Sequence, residues 1–172
     1  PRAGQALAKL CYDTLLTYGK QALEACKVHA VTPALEAIVE ANVYLSGVGA
    51  DNVNCAAAHS FYNGVTALGI AHADHGCCVA FGTLVQLVLE GAPKEEFEKV
   101  QSFCLEVGLP VTLAEIGVTT KEQIKEIAKH ACVPGETIHN LAGDVQPIEL
   151  YDAILQTDAM GKLALGSASC EA

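Results

Sequence analysis

One long stretch of the chain is almost free of charge. Between Asn52 and Leu89 the only Asp, Glu, Lys or Arg is Asp74, yet three histidines lie in the same stretch. A segment with so few charges is expected in the protein interior. Because a buried imidazole without a partner is costly, His59 and His75 should each have a specific bonding partner. The stretch therefore predicts buried elements that carry histidines with defined partners.

Apolar residues recur at the spacing of an α-helix along most of the chain. Thr32-Pro33 provides a helix N-cap followed by proline at the first helical position, and residues 46–49 provide an end. Residues 120–123 have the pattern of a capping box. The predicted helices are 3–26, 33 to about 45, 53–68, 76–90, 94–107, 120 to about 131 and 147–165. Because alternation typical of a strand is confined to residues 110–113, we predict an all-α bundle of about seven to eight helices.

Composition restricts the partners of the chain. Its 172 residues include 20 acidic and 10 basic side chains, which gives a net charge of −10. So acidic a surface repels phosphate backbones and anionic lipid, and we expect neither nucleic acid nor membrane as a partner. The longest strongly apolar run, residues 77–89, is too short to cross a bilayer. The eight cysteines form no CxxC pair, which is typical of reduced thiols in a cytoplasmic protein.

The length of the chain is typical of one domain, and we interpret residues 1–172 as a single helical domain. The sequence opens with Pro1, and its single methionine is Met160. We therefore expect the chain to be part of a longer protein.

His59 lies on a polar stripe within an apolar predicted helix. Residues three and four positions apart share a helix face, which places His59 with Tyr62, Asn63 and Thr66. Such a stripe often lines a site, although a core histidine bonded to a backbone carbonyl gives the same pattern. From the residues alone, both interpretations of His59 stay open.

His75 directly precedes Gly76, whose lack of a side chain would let another group approach the backbone closely. The positive end of the following helix disfavours imidazolium, so we expect His75 to be neutral, the form that binds metal. Catalytic zinc typically has three protein ligands. The candidates for a third ligand, none at a diagnostic spacing, are His72, Asp74, Cys77 and His139. His29 and His130 lie near predicted helix ends, where capping is the simpler role.

Four segments carry a resemblance to a known family. They are TPALEAIVEANVYLSGVG, AAAH..YNG.TAL, HG..VAFGTLVQLVLE and GETIHN. In this order they are similar to the C-terminal helical domain of the glycerol dehydrogenases, in the iron-containing (group III) alcohol dehydrogenase superfamily. The resemblance implies an all-α, dehydroquinate synthase-like C-terminal domain whose cleft faces an N-terminal nucleotide-binding domain. It also implies that His59 and His75 bind the catalytic divalent ion, usually zinc, with iron or another divalent ion as the alternative.

For a full-length enzyme the resemblance implies NAD-dependent oxidation of glycerol or a similar small polyol, in which a secondary alcohol becomes a ketone. The family's third metal ligand is an aspartate that lies upstream of this sequence, and NAD is bound mainly by the N-terminal domain. Here the only Gly-x-Gly, at residues 47–49, follows a predicted helix and lacks the third glycine of a dinucleotide fingerprint. The resemblance implies a homo-oligomeric full enzyme, and we expect this chain by itself to be inactive.

The chain departs from the family pattern at several positions. Ala50 stands where the family often has an aromatic residue near the substrate, and Cys77-Cys78 stands where Glu-Lys is common. Asn63 stands where the superfamily's HxxxH pattern has its second histidine, a position at which glycerol dehydrogenases also tend to have Asn. Tyr62 and Asn63, one turn from His59, are expected to support the metal ligands or to face the substrate. The change at Ala50 bears on the preference for glycerol more than on the metal site.

Two other interpretations stay open. A dehydroquinate synthase-like lyase domain would place Lys, Arg and further His around the ion to hold an anionic substrate, and the stretch between Asn52 and Leu89 has no Lys or Arg. A non-catalytic helical remnant that acts as an interaction module would keep the fold without the cofactor-binding half. The sequence upstream of Pro1 distinguishes the enzyme from the remnant.

Overall fold

A computed structural model gives the architecture of the chain and describes residues 1–69 and 74–168. The chain divides into two compact units, Pro1–Asn54 and Cys55–Ala172, and each is treated by itself. The expectation that residues 1–172 act as one metal- and substrate-binding domain stays a prediction.

The first unit is a long helix packed against a second, interrupted one. Helix α1 (Arg2–Lys27) packs against α2 (Pro33–Glu40), a π-helical turn (Ala41–Leu45) and α3 (Ser46–Val53). The predicted N-cap is confirmed, since the Thr32 hydroxyl accepts a hydrogen bond from the Leu35 N–H. Apolar side chains of α1 and α2 thus meet within this unit.

The predicted end of the second helix at residues 46–49 is wrong. The chain stays helical through the π turn and α3, and ends at Asn54, which has a positive φ of 66°. Glycine weakens a helix by only about 1 kcal/mol, so two glycines need not stop it. Packing favours continuation here, because a Cβ built at Gly49 would already lie 3.9 Å from the backbone nitrogen of Ala8 in α1.

The second unit holds five longer helices around one core. They are α4 (Ala57–Ala67), α5 (His75–Leu89), α6 (Lys94–Val107), α7 (Lys121–Ala131) and α8 (Pro147–Ala168). Short 3-10 turns occupy Ala114–Ile116 and Thr137–Asn140. Helix α4 packs against α5 and α7, and α8 also packs against these two. The largest fully buried side chains include Phe61, Phe81, Ile127, Ile138, Leu150 and Ile154.

Two local predictions in this unit have different outcomes. The capping box is confirmed, because the Thr120 side chain and the Gln123 side chain each bond the other's backbone N–H. Residues 110–113, the one segment with strand-like alternation, form no strand. There the N–H groups of Val111 and Thr112 both donate to the Glu115 carboxylate, which folds the segment into a turn. A helix predicted from residue 53 begins instead at Ala57, after the break at Asn54.

Glycines set how closely the central helices approach. A Cβ at Gly82 of α5 would lie 2.6 Å from the carbonyl oxygen of Ala58 in α4, and a Cβ at Gly64 would lie 2.5 Å from that of Ile127 in α7. Contacts this short require glycine. At Gly76 no described atom lies within 4 Å of a Cβ built there, so the close approach expected at this position stays a prediction.

The all-α prediction is confirmed: within residues 1–69 and 74–168 the regular elements are helices and the structure has no strand. None of the described helices is both long enough and apolar enough to span a bilayer. The long apolar helix α5 is instead a core element, with Cys78, Phe81 and Leu84 fully buried.

Candidate metal centre

The two histidines singled out by the sequence lie side by side in the second unit. His59 is the third residue of α4 and half-buried, while His75 is the first residue of α5 and exposed. Their ring centroids are 5.5 Å apart, with the ring planes inclined at 54°. The packing of α4 on α5 therefore brings together imidazoles that are sixteen positions apart in sequence.

Tyr62 completes an aromatic cluster with the two histidines. Its ring meets that of His75 edge to face, with centroids 4.3 Å apart and planes at 90°. Tyr62 is half-buried and packs against the hydrophobic core, which holds its side chain in position. Edge-to-face contacts of this kind orient a ring as well as pack it. The structure thus places Tyr62 where it limits the rotation of the His75 side chain.

The electrostatic surroundings favour neutral imidazole at His59. Burial of the ring lowers the pKa of His59, and the charge that His75 can carry lowers it further. An ordinary histidine already titrates near pH 6.5, so His59 is neutral at pH 7. Neutral imidazole has a free nitrogen lone pair and is the form that coordinates metals. The chemistry of this pair therefore fits a divalent ion.

The structure brings no third protein ligand to the pair. Among residues 1–69 and 74–168, no group of three or more His, Cys, Asp or Glu side chains could hold a metal ion. Of the candidates, His139 is exposed and its Nε2 lies 3.2 Å from the Val133 carbonyl oxygen. Asp74 is exposed at the N-cap of α5, Cys77 is half-buried, and His72 lies outside the described residues. Within the described residues, the two histidines therefore have no third side chain that could complete a metal-binding group.

The remaining residues predicted for the site are not part of the cluster formed by His59, His75 and Tyr62. The Asn63 side-chain amide donates a hydrogen bond of 2.9 Å to the Glu136 carboxylate. Ala50 is an exposed residue of α3, in the first unit. His29 follows α1 with a positive φ of 56°, and His130 lies in the last turn of α7, as expected for residues at helix ends.

Sequence reasoning missed a polar segment that holds the start of α4. The 136–140 tether, as we name residues 136–140, forms hydrogen bonds to the chain between residues 55 and 63. The motif GETIHN, residues 135–140, contains the whole tether, and no role in holding α4 was predicted for it because its partners are more than seventy positions away in sequence. Its high density of polar side chains was the available signal.

Known proteins resemble this chain in both sequence and structure. It is 51% identical over 163 residues to a glycerol dehydrogenase from Citrobacter freundii, a match that covers 93% of this chain and 45% of that protein. It is 48% identical over 164 residues to a glycolaldehyde reductase from Halobacterium salinarum, covering 94% and 45% of the two chains. The crystal structure of glycerol dehydrogenase from Schizosaccharomyces pombe superposes with a TM-score of 0.92 at 36% identity, over 98% of this chain and 44% of that one.

This chain is homologous to part of the glycerol dehydrogenases. The resemblance stated from the four motifs is thereby confirmed, and the match spans nearly the whole chain rather than the motifs alone. The chain spans less than half the length of the glycerol dehydrogenases it matches. No protein-family profile matches it. A glycerol dehydrogenase thus has more than half of its length outside the region that this chain resembles.

Proposed function

We propose that this chain is the metal- and substrate-binding half of an NAD-dependent polyol dehydrogenase, which oxidises a secondary alcohol such as glycerol to a ketone. The observation that carries the proposal is the histidine pair, with ring centroids 5.5 Å apart. Neighbouring imidazoles fit two of the three protein ligands of a catalytic zinc. The similarity to glycerol dehydrogenases over 93% of the chain supports the same function.

The ion we propose is zinc, with iron or another divalent metal as the alternative, because imidazole suits several of these ions. His59 and His75 would hold it together with a carboxylate from an upstream segment. When bound, such an ion supplies Lewis acidity, which makes a substrate hydroxyl easier to deprotonate near neutral pH. The lowered pKa of His59 keeps its lone pair available for this role at the same pH.

We propose that the other residues of the site orient the metal ligands or select the substrate. Tyr62, in edge-to-face contact with His75, restricts the rotation of that ring. Asn63 contributes indirectly, since its amide is bonded to Glu136. Ala50 has a small side chain where the family often has an aromatic residue, and we propose that this change widens the range of accepted alcohols.

An upstream half would supply NAD binding in the proposed enzyme. The described helices offer no strand–turn–helix unit with a glycine-rich loop, which is the usual cradle for a dinucleotide pyrophosphate. The complete protein is proposed to be a homo-oligomeric, cytoplasmic enzyme that needs neither nucleic acid nor membrane. The net charge of −10 agrees with the absence of polyanionic partners.

Reduction of a small hydroxyaldehyde is the second candidate function. A relative from Halobacterium salinarum, 48% identical, is a glycolaldehyde reductase. The chemistry is the same hydride transfer in the opposite direction, so the metal pair would serve both reactions. Ala50 supports this candidate, because it stands where the family often has an aromatic residue, at the position associated with the preference for glycerol.

An absorbance assay tests the proposal directly. The protein that carries this chain together with the upstream half present in its relatives is mixed with zinc, NAD and a panel of small polyols, and NADH is followed. We expect polyol-dependent NADH formation, and in His59→Ala or His75→Ala a fall in kcat/KM of about 10³-fold, the equivalent of losing several kcal/mol of Lewis-acid stabilisation. His130→Ala, at a helix end, serves as the control and should retain activity.

The outcomes separate the candidate functions. A kcat/KM for glycolaldehyde with NADH that exceeds every value for a polyol with NAD would assign the reductase function instead. Unchanged activity in His59→Ala would contradict the metal pair. Complete inactivity with every substrate, in a folded protein that carries both halves, would favour the non-catalytic helical module. Conversion of an anionic substrate without net change in NAD would assign a dehydroquinate synthase-like lyase.

A further inference from the structure

Helix α4 begins without the side chain that normally caps a helix. Its N-cap residue is Ala56, which offers no side-chain acceptor to the free N–H groups of the first turn. Alanine is a poor N-cap for this reason, and replacing Ser, Thr, Asp or Asn by alanine there typically weakens a helix start. His59, the third residue of the helix, lies in this uncapped turn. Another part of the fold must therefore hold the turn in place.

Gln86 supplies the acceptor that the missing cap would have supplied, and side chains of the 136–140 tether add donors to the carbonyl groups just before the helix. The Gln86 side-chain oxygen, on α5, accepts a hydrogen bond of 3.1 Å from the Ala58 N–H. From the 136–140 tether, Asn140 donates to the Cys55 carbonyl at 2.7 Å, and Thr137 donates to the Ala56 carbonyl at 2.8 Å. Hydrogen bonds from these side chains therefore hold the residues just before and just after the first residue of α4.

The hydroxyl groups of Thr137 and Ser60 form a chain with an assignable direction. Since Thr137 gives its proton to the Ala56 carbonyl, Ser60 must donate to the Thr137 oxygen, 3.0 Å away. The Ser60 oxygen in turn accepts from the Ile138 N–H at 2.7 Å. Ser60 and Ile138 are fully buried, so the bond between them is protected from water, while the two bonds of the Thr137 hydroxyl are half-buried. Removing the Thr137 hydroxyl would leave two oxygens with one partner fewer.

A second contact extends the tether along the helix face that carries His59. The Asn63 amide, four residues after His59, donates to the Glu136 carboxylate at 2.9 Å. The tether therefore bonds the chain before His59, at Ala56, directly beside it, at Ser60, and one turn after it. These bonds fix the backbone from which the His59 ring projects.

We infer that Thr137 is a positioning residue for His59, acting through the Ala56 carbonyl and the Ser60 hydroxyl. This inference rests on the proposed function, in which His59 and His75 hold a divalent ion. A metal site requires its ligands to stay within about 0.5 Å of the productive geometry, and that precision comes from the bonds behind the ligands. Polar groups behind metal ligands typically affect affinity by about 10–100-fold.

The test compares two threonines that differ in what they hold, the half-buried Thr137 and the fully buried Thr157. Thr137→Val and Thr157→Val each remove a hydroxyl that donates a 2.8 Å hydrogen bond to a backbone carbonyl, but Thr157 bonds within α8 to Ala153. The protein that carries this chain with the upstream half of its relatives is used. Its zinc affinity is measured by competition with a chromophoric chelator, and its unfolding is followed by circular dichroism.

We expect Thr137→Val to weaken zinc binding by about 10–100-fold. Thr157→Val should be destabilised to a similar extent and yet bind zinc like the wild type. Thr137→Ser, which keeps the hydroxyl, should restore most of the affinity. Wild-type affinity in Thr137→Val would overturn the inference, and so would equal weakening in Thr157→Val, which would reveal a general loss of stability.

A separate arm distinguishes failure of this inference from failure of the proposed function. If the wild type binds no zinc, or if His59→Ala binds it as tightly as the wild type, the histidine pair is not the metal site and both ideas fall. If His59→Ala loses zinc and Thr137→Val keeps it, the proposed function stands and only the positioning role of Thr137 is lost.

Discussion

Single cysteines are the residues whose chemistry is most clearly set by burial. None of the seven cysteines in the described ranges forms a disulfide. Cys78 is fully buried, and burial, with smaller contributions from Cys77 and Asp74, raises its pKa. Its role as a small apolar residue of the core, expected from the sequence, agrees with this.

Cys104 gives a prediction on alkaline stability. Burial raises its pKa to about 11, whereas in the unfolded chain a thiol titrates near 8.5. Because the fold favours the protonated thiol, its contribution is complete below about pH 8.5 and is lost as the pH rises toward 11. We expect Cys104→Ala to be less stable than wild type at pH 7, through lost packing. That difference in unfolding free energy should shrink by about 2–3 kcal/mol by pH 11.

Urea unfolding of both proteins between pH 7 and 11 measures this difference. Other groups that titrate over the same range are shared by the two proteins and cancel in the comparison. A stability difference that stays constant with pH would show that the Cys104 thiol ionises as easily in the folded as in the unfolded protein.

At the scale of helices, the contact between α4 and α5 depends on one glycine. A Cβ added to Gly82 would meet the Ala58 carbonyl oxygen at 2.6 Å, and that oxygen is backbone, which cannot turn away. Ala58 directly precedes His59, and His75 begins the same helix as Gly82. Separation of the two helices would therefore also separate the two imidazoles.

Gly82→Ala should lower the unfolding free energy by about 1–3 kcal/mol, the usual range for an extra methyl group in a closely packed interior. It should also weaken zinc binding in the protein with both halves, because α4 and α5 must move apart. Thermal or urea unfolding and a zinc titration measure the two effects.

Gly76→Ala is the matched control on the same helix. No described atom lies within 4 Å of a Cβ at this position, and alanine is favoured over glycine in a helix by roughly 0.5–1 kcal/mol. We expect unchanged or slightly higher stability. Equal losses in Gly82→Ala and Gly76→Ala would contradict a special contact at Gly82.

Sequence patterns predicted the helices well and their connections less well. Periodicity and capping signals are local. They were therefore sufficient to predict α6, the start of α2 at Pro33 and the capping box at Thr120. Continuation through residues 46–49 depends on packing against α1, which periodicity does not encode. The 136–140 tether depends on partners 73 to 85 positions away. Contacts of that range arise only when the whole unit has folded.

For the molecule as a whole, the candidate site could be predicted only in part. Histidines in a charge-poor region marked His59 and His75, and the family resemblance gave them a shared role. Their separation of 5.5 Å and the edge contact with Tyr62 follow from helix packing, which spacing alone permits without requiring. The third ligand was beyond prediction from this chain, since no third candidate in the described ranges joins the pair.

The part of the relatives that this chain does not match should matter for function, because two histidines alone would make an incomplete metal site. This chain matches 45% of the Citrobacter freundii enzyme. Two neutral imidazoles provide no negative charge to balance a divalent ion, and a catalytic zinc usually has three protein ligands. We therefore expect tight metal binding to require the upstream carboxylate as well as this pair.

Zinc stoichiometry is the most direct measurement of the central claim, that His59 and His75 are two ligands of one catalytic ion. The protein with both halves is dialysed against zinc and then against metal-free buffer, and bound zinc per chain is determined by elemental analysis. We predict about one ion per chain in the wild type and in the double variant His29→Ala/His130→Ala. We predict none in the double variant His59→Ala/His75→Ala. One zinc retained by the last variant, or none bound by a folded wild type, would contradict the claim.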